Sequence, residues 1–382
     1  MRRLCDLSVQ SGDLARLAGE QDGEVEKSLF AATKPSLAAA ILKDRRFDRW
    51  VYCEGFRYAM GDGIFTSRGE DHRTVKRAIQ PIFQRSSVES WSELIREMAR
   101  ETVMSLSPGT QDLTPVFDSL VLRIAGQQLF GLDLAPIADE LSHLVSQIQS
   151  LHRKVDLSKV AREEFFQLRI RVGELLHGAM RDQPDYIEKG IVFSQMNEKL
   201  DLTSEQIFQE FYGILMAGSL TTGLSLAAIV SELAQGVKFE RIEDVMKEGL
   251  RKYPAAWSLP REAMEDLEIG GWQMDRGQRL IIAPWALHRL EEYFPDPEEF
   301  RPNRWIDGLE KTLPTGAYMP FGLGHRSCLG ARMAFLEGEI ILKELLKRFS
   351  LAPASGKPSF IPVAHITLLP EDGAWVDLQL LT

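Results

Sequence analysis

The stretch Phe321-Gly322-Leu323-Gly324-His325-Arg326-Ser327-Cys328-Leu329-Gly330 decides how this chain is read. It sets a cysteine in a glycine-rich loop, with an arginine two residues before it and a glycine two after. Ala331-Arg332-Met333-Ala334-Phe335-Leu336-Glu337 follows with the spacing of an amphipathic helix. Each residue type has a physical task here. A cysteine binds metal as the thiolate, and the N–H groups at a helix N-terminus favour that anion. Glycines let a backbone approach a flat molecule without Cβ clashes. An arginine fork pairs with a carboxylate. A dinucleotide fingerprint fits poorly: Gly322 and Gly324 begin one, but Ser327 stands where the third glycine belongs.

Around this loop the composition is that of a globular protein with a large core, 44% hydrophobic and 26% charged over 382 residues. A net charge of -10 argues against general nucleic-acid binding. Cys5, Cys53 and Cys328 form no CxxC pair, which speaks against zinc or disulfide frameworks and suits a reducing cytoplasm. The first residues carry no apolar signal core, so no membrane anchor is expected. The most apolar window, Phe211 to Val230, is interrupted by Ser219, Thr221, Thr222 and Ser225. It reads as a buried central helix. No linker or repeat divides the chain, which predicts one catalytic domain over 1–382.

Helical spacing runs over Lys34 to Leu42, Asp71 to Phe83, Ser87 to Leu106, Thr114 to Leu129, Ile137 to His152 and Arg162 to Met180. Thr203 to Leu233 reads as one long helix and Ile242 to Lys252 as another. Phe47 to Ser67 is mixed and glycine-bearing and reads as loop. From Leu267 the pattern turns to short strands: a hairpin over Glu268 to Met274, then Arg279 to Ala283, Ile366 to Leu369 and Trp375 to Leu378. The fold class expected is mainly α with a small β region.

The cysteine loop closely resembles the haem-binding loop of the cytochrome P-450 family, and further motifs follow in that family's order. Glu248-Gly249-Leu250-Arg251 sets a carboxylate and a guanidinium at i and i+3, and Phe300-Arg301-Pro302-Asn303-Arg304-Trp305 comes later. The resemblance implies the cytochrome P-450 fold, a helical domain and a smaller β domain enclosing haem b. It implies that Cys328 is the axial iron ligand and that Phe321 shields the thiolate. Gly322, Gly330, Ala217 and Gly218 would lie along the haem. Arg326, Arg261, His72 and Lys76 would serve its propionates, although lysine lacks the forked geometry usual at the last position. Glu248, Arg251 and Arg304 would form a buried structural network. Ala217, Thr221, Ala256, Trp257, Ser258, Leu259, His365 and Ile366 match substrate-pocket positions.

Ala217-Gly218-Ser219-Leu220-Thr221-Thr222 resembles the family's oxygen-activation motif, in which an acid precedes the threonine. Thr221 is present and is the catalytic candidate; Leu220 replaces the acid. Leucine cannot relay a proton, so ordered water or a substrate hydroxyl is expected to do so. The alternative is a peroxide-using or isomerase-like haem-thiolate enzyme, with a haem sensor as the non-enzymatic reading. A second departure lies at the start. Ser11 to Leu17 resembles a family strand that normally follows a longer leader, so the N-terminus reads as shortened. The function implied is that of a bacterial-type cytoplasmic monooxygenase of a small organic molecule. Electrons would pass from NAD(P)H through a separate ferredoxin or flavodoxin. Arg73, Lys76, Arg77 and Arg332 are candidates for a basic docking face.

Overall fold

The computed structural model of the protein describes residues 14–18, 29–50, 54–151 and 159–381. Cys5, Cys53 and the first residues of the strand expected from Ser11 lie outside them. Strands β1 (Leu14–Ala18) and β2 (Leu29–Ala32) come first, then helix α1 (Pro35–Lys43) and strand β3 (Phe47–Arg49). Helices α2 (Glu54–Met60), α3 (Gly69–Ile79), α4 (Arg85–Ser90) and α5 (Ser92–Ser105) follow. After β4 (Gly109–Asp112) come α6 (Thr114–Phe130), α7 (Ala138–Leu151), α8 (Lys159–Asp182), α9 (Ile191–Lys199) and the long α10 (Ser204–Leu233). Helix α11 (Ile242–Lys252) leads to β5 (Leu259–Ala263), β6 (Leu267–Ile269), β7 (Trp272–Met274) and β8 (Arg279–Ile282). Helix α12 (Ala331–Arg348) follows the cysteine loop, and β9 (Phe349–Pro353), β10 (Pro362–Ala364), β11 (Leu368–Pro370) and β12 (Trp375–Leu380) close the chain.

Local chemistry explains several boundaries. Pro35 opens α1, where a missing N–H costs nothing. Gly131 ends α6 in the left-handed conformation that favours glycine. Thr203 and Gln206 form a reciprocal capping box at the start of α10, so its first free N–H groups are bonded. Three expectations change. Phe47 to Ser67 holds β3 and α2 rather than loop alone, because β3 is ordered by its pairing with β5, which no local pattern reveals. Ser87 to Leu106 breaks at Trp91 into α4 and α5, and the apolar spacing carries on across the break. The strand expected from Ile366 begins at Leu368, and Ile366 lies in the turn between β10 and β11.

The chain divides into two compact units, each made of two segments. The first is Met1–Tyr52 with Phe239–Cys328. It holds a five-stranded sheet in the order β1-β2-β8-β5-β3. β2 and β8 run parallel and the other neighbours antiparallel. Leu37, Ala38, Ile41 and Leu42 form the inner face of α1 and pack with Phe47, Leu280, Ile282 and Met319. Leu323 packs against the same cluster, so the cysteine loop rests on this core.

The second unit is Cys53–Lys238 with Leu329–Thr382. Helix α10 runs through it, and 83% of its apolar window is buried inside the protein. That is how a helix long and apolar enough to cross a bilayer comes to serve as a core element. α6 packs along α10 at Gly223, where any Cβ would collide with the Asp118 carboxylate. A three-stranded sheet β4-β12-β9 and the hairpin β10-β11 complete the unit.

Candidate functional site

The cysteine loop of the first unit is built on its own backbone. Gly322 (φ 69°) and Gly324 (φ 70°) take left-handed conformations that other residues resist. A Cβ at Gly324 would also strike the Leu42 carbonyl at the end of α1, so the loop is seated by glycine alone. The Cys328 N–H donates to the Phe321 carbonyl at 2.9 Å, and the Gly322 N–H donates to the Met319 carbonyl at 3.0 Å. The Cys328 side chain is exposed, and α12 starts three residues later. Leu259 approaches the position a Gly322 Cβ would occupy, at 3.6 Å. The neighbouring pocket candidates Ala256, Trp257 and Ser258 are half-buried in the segment before β5.

A cluster of charge lies beside this loop. The Arg326 Nε donates to Asp48 at 2.8 Å, and its side chain is only 2% exposed. The β3–β5 register puts Arg49 opposite Arg261. Like charges so placed repel each other. Arg261 is buried, donates one N–H to the Pro260 carbonyl at 2.9 Å, and leaves its Nε without a protein partner. Burial, with the charges of Arg49 and Arg326, pushes the Arg261 guanidinium down to about 9. Burial and Arg326 push Arg49 down to about 10. Asp48 is the carboxylate that acts to raise both. Sequence reasoning named Arg261 and Arg326 but missed Asp48 and Arg49; the pairing of β3 with β5 is what joins them.

The Glu248 network is of the other kind. Arg251 Nε and Nη2 each reach a Glu248 oxygen at 2.9 Å, and both side chains are fully buried. Glu248 also accepts from Arg304 Nε (3.1 Å), the Arg301 N–H (2.8 Å) and Trp305 Nε1 (3.0 Å). Burial alone would raise this carboxyl, but the bonds and charges of Arg251 and Arg304 together hold it below the usual range. Arg251 spends its remaining donors on the carbonyls of His288 and Glu299, both at 3.1 Å. His288 carries the connection to the loop. Its Nδ1 lies 3.1 Å from the Arg251 carbonyl, while its Nε2 accepts the Met319 N–H at 2.9 Å. Those two bonds select a neutral ring, and burial lowers its pKa to about 3. His288 thus ties α11 to Met319, whose carbonyl in turn holds Gly322.

In the second unit, Ala217, Gly218 and Thr221 are the half-buried positions along a stretch of α10 whose other residues are buried. Ser219 (3% exposed) and Thr222 (4%) turn inward, as helical geometry predicts. Thr221 Oγ1 donates to the Ala217 carbonyl at 2.9 Å, and Ser225 Oγ donates to the Thr221 carbonyl at 2.9 Å. The helix stays continuous through the motif. A Cβ at Gly218 would find no atom within 4 Å, so the backbone is open there. Leu220 is buried, and α10 carries no acidic residue between Glu210 and Glu232.

His72 on α3 is buried, and Lys76 one turn on is half-buried. Arg73 and Arg77 on the same helix already pair with Glu70, the first at 2.6 Å, which reduces the charge they present. Arg332 is exposed on α12. His365 and Ile366 are half-buried at the β10–β11 turn. Gln149 of α7 fixes that turn, accepting from Thr367 Oγ1 at 2.7 Å and from the Thr367 N–H at 3.2 Å. Glu210 was also missed as a structural residue. It accepts the Ile64 N–H at 2.7 Å and seats the segment from Gly61 to Ser67 against α10, and burial raises its carboxyl to about 7.

The donor set of the first unit fits haem. Among the described residues no cluster of three or more His, Cys, Asp or Glu is arranged to hold a bare metal ion. Cys328, exposed ahead of α12, suits an iron already held in a macrocycle, which asks one thiolate of the protein. The buried side chains of Arg261 and Arg326 beside it suit a ligand bearing anionic groups.

Comparison with known proteins points the same way. The cytochrome P450 family pattern matches residues 237–375. Cyclooctat-9-en-7-ol 5-monooxygenase of Streptomyces melanosporofaciens is 27% identical over 86% of this chain and 81% of its own. Pentalenene oxygenase of Streptomyces avermitilis is 24% identical over 84% of this chain and 81% of its own. A six-coordinate cytochrome P450 from Thermus thermophilus superposes with a TM-score of 0.75 at 26% identity, covering 92% of both chains.

Proposed function

We propose that this chain, which belongs to the cytochrome P450 superfamily and is a haem monooxygenase, oxidises a small, largely hydrocarbon molecule in a biosynthetic route. Cyclooctat-9-en-7-ol and pentalenene, for which two relatives are named, are molecules of that kind. The half-buried, mostly apolar candidates Ala256, Trp257, Leu259, Ala217 and Ile366 suit such a substrate, with Ser258 and His365 as polar options. Electrons come from NAD(P)H through a separate ferredoxin or flavodoxin, and the protein works in the cytoplasm.

The observation that carries this reading is the loop from Phe321 to Gly330, seated on α1 and presenting an exposed Cys328 before a helix N-terminus. The haem, when bound, supplies oxygen activation: one oxygen atom enters the substrate and the other leaves as water, with two electrons and two protons consumed. The chain's own residues do the rest. Cys328 ligates the iron, and α12 and the loop amides hold its sulfur as thiolate. Phe321 covers the sulfur. Gly322, Gly330, Ala217 and Gly218 give the ring room, and Arg326, Arg261, His72 and Lys76 serve its carboxylates. Thr221 holds a proton-carrying water at its hydroxyl, whose own hydrogen is committed to the Ala217 carbonyl while its lone pairs accept. Reduced protein with carbon monoxide should show the red-shifted Soret band of a thiolate-ligated haem. A Cys328→Ala protein that keeps that band overturns the assignment.

A second reading, a peroxide-using or isomerase-like enzyme, is favoured by Leu220. The nearest acid on the same face of α10 before Thr221 is Glu210, about 16 Å away along the axis at 1.5 Å per residue. Turnover with peroxide alone, compared with NAD(P)H and partner proteins, decides between them.

A further inference from the structure

The turn between β10 and β11 carries His365 and Ile366, two of the pocket candidates, and it tips a very small hairpin. Each strand is three residues long, and the two form a sheet of two strands. A hairpin of that size is marginal in water by itself, so its position is set by what it packs against. At its base the Phe360 N–H donates to Ser231 Oγ of α10 at 3.0 Å, and Leu368 of β11 is fully buried. At its tip the His365 N–H donates to the Thr367 carbonyl at 2.8 Å. Thr367 then turns both of its own donors to α7: its hydroxyl reaches Gln149 Oε1 at 2.7 Å and its N–H reaches the same oxygen at 3.2 Å. Both side chains are buried. Gln149 is out of character on the face it occupies, which otherwise buries Leu141, Val145, Ile148 and Leu151. An amide there is desolvated, and a leucine would continue the apolar stripe. What the amide adds is direction: two hydrogen bonds fix an angle and a distance, which apolar packing does not.

We infer that Gln149 is a specificity-determining positioning residue: through Thr367 it sets where His365 and Ile366 stand, and so which substrate shapes the pocket accepts. This rests on the monooxygenase reading above and deepens it with a residue outside every motif of the sequence. Gln149 lies in the last turn of α7, so the end of that helix and the hairpin tip are tied together across 218 positions of chain. The shorter of the two bonds needs a hydroxyl at position 367. A largely hydrocarbon substrate offers few groups for directional bonds, so it is selected by shape. In an apolar pocket a misfit of one methylene already costs about 10-fold or more. A wall held in place by hydrogen bonds from behind is what such selection requires.

The test uses the haem-loaded enzyme and two nitrogen ligands of ferric iron, imidazole and 4-phenylimidazole, each titrated through the Soret shift. Imidazole is small enough to reach the iron without filling the pocket, whereas the phenyl ring has to fit against its wall. The readout is the ratio of the two dissociation constants. Gln149→Leu is expected to weaken 4-phenylimidazole about 10-fold relative to imidazole, and Thr367→Val, which loses the hydroxyl bond alone, about 3-fold. Thr367→Ser keeps the hydroxyl and should keep the parent ratio, as should Ser150→Ala at an exposed neighbour on α7. Added to Gln149→Leu, Thr367→Val should change nothing further. The parent ratio in Gln149→Leu overturns the inference. So does equal weakening of both ligands, the mark of a merely structural role, and so does Thr367→Ser behaving as Thr367→Val. If Gln149→Leu does not load haem, Thr367→Val decides: the parent ratio there overturns the inference. Ile366→Ala separates the two levels. If it leaves the ratio unchanged, the assignment of the tip to the pocket fails and this inference with it. If it shifts the ratio while the Gln149 and Thr367 variants are silent, only this inference fails.

Discussion

Two buried constellations of arginine and carboxylate lie in the same unit, and they are finished differently. Around Glu248 every strong donor has found an acceptor: Arg251 and Arg304 share the carboxylate and spend their remaining N–H groups on the carbonyls of His288, Pro295 and Glu299. Beside Asp48, Arg261 keeps a buried Nε with no hydrogen-bond partner. Burial lowers the guanidinium pKa in both places, as at Arg304 and Arg261, and neighbouring arginines add to it in both, but Arg304 Nε bonds Glu248 while Arg261 Nε bonds nothing. The difference separates a network whose guanidinium donors are bonded from one that keeps a donor idle. A saturated cluster loses stability when any member is removed, whereas an unsaturated one should gain stability and lose affinity.

The largest effect is expected at the saturated cluster. Arg251→Ala leaves Glu248 charged and buried, at a cost of about 3–5 kcal/mol. The protein should yield little soluble, haem-loaded material, read by expression and the ratio of Soret to protein absorbance. A well-folded variant with full haem and merely slow turnover would erase the contrast.

The sign should reverse at the unsaturated cluster. Arg261→Met removes a buried cation and should stabilise the haem-free protein at pH 7 by about 1–4 kcal/mol while loosening haem. The pH dependence follows from the lowered pKa. A base whose folded pKa is about 9 destabilises the fold fully below pH 9 and less as pH rises towards its ordinary value. The gain in melting temperature from Arg261→Met should therefore be largest at pH 7 and shrink above pH 9. A loss of stability at pH 7 would show that the cluster is saturated after all.

A lone carboxyl in the helical unit extends the comparison. Asp118 faces Gly223 of α10, and burial, with the charge of Asp112, raises it to about 8. Its folded pKa lies above the unfolded one, so it costs stability increasingly between about pH 4 and pH 8 and nothing below that range. Asp118→Asn should raise the unfolding free energy by about 1–3 kcal/mol at pH 8 and leave it unchanged below pH 4. Thermal melts at the two pH values check this, and equal shifts at both would refute it.

The smallest effect is expected at Leu220. An acid there would restore the family pattern, and a general acid can be worth about 10²–10⁴-fold. Leu220 is buried, however, and a carboxylate in its place would be desolvated. Leu220→Asp should bring no gain in coupling of NAD(P)H use to product. A large rise in coupled product would show that the route through Thr221 and water is deficient.

The sequence reveals the saturated cluster better than the open one, for a physical reason. Glu248 and Arg251 sit one turn apart on a helix, and Arg304 stands in a motif, so spacing alone announces them. The glycines at 322 and 324 likewise mark their left-handed turns. Long helices were legible because their apolar spacing is local; α11 runs over the residues expected, and α10 starts at its capping box. Arg49 and Arg261 meet only because two short strands pair across a long stretch of chain, and neither strand shows alternation strong enough to predict. Glu210 and Asp118 were invisible for a related reason: their environment is made by glycines at 63 and 223, on elements distant in sequence. The break at Trp91 escaped because hydrophobic period reports which face is buried, not whether the axis is continuous.

The sheet order β1-β2-β8-β5-β3 has a consequence for how the protein is made. The strands translated first are β1, β2 and β3, yet β2 and β3 border partners, β8 and β5, that leave the ribosome only after the whole stretch from α2 to α11. At about 5–20 residues per second, the nascent chain carries open strand edges for about ten seconds or longer. Such edges invite wrong pairings, so a chaperone or a quick helical collapse of the middle segment has to shield them. Arg261 emerges with β5, and Arg326 and Cys328 later still, so haem capture comes at the close of synthesis. Ribosome-stalled chains ending before Arg261 should bind no haem and should be cut readily by protease near β1 and β2.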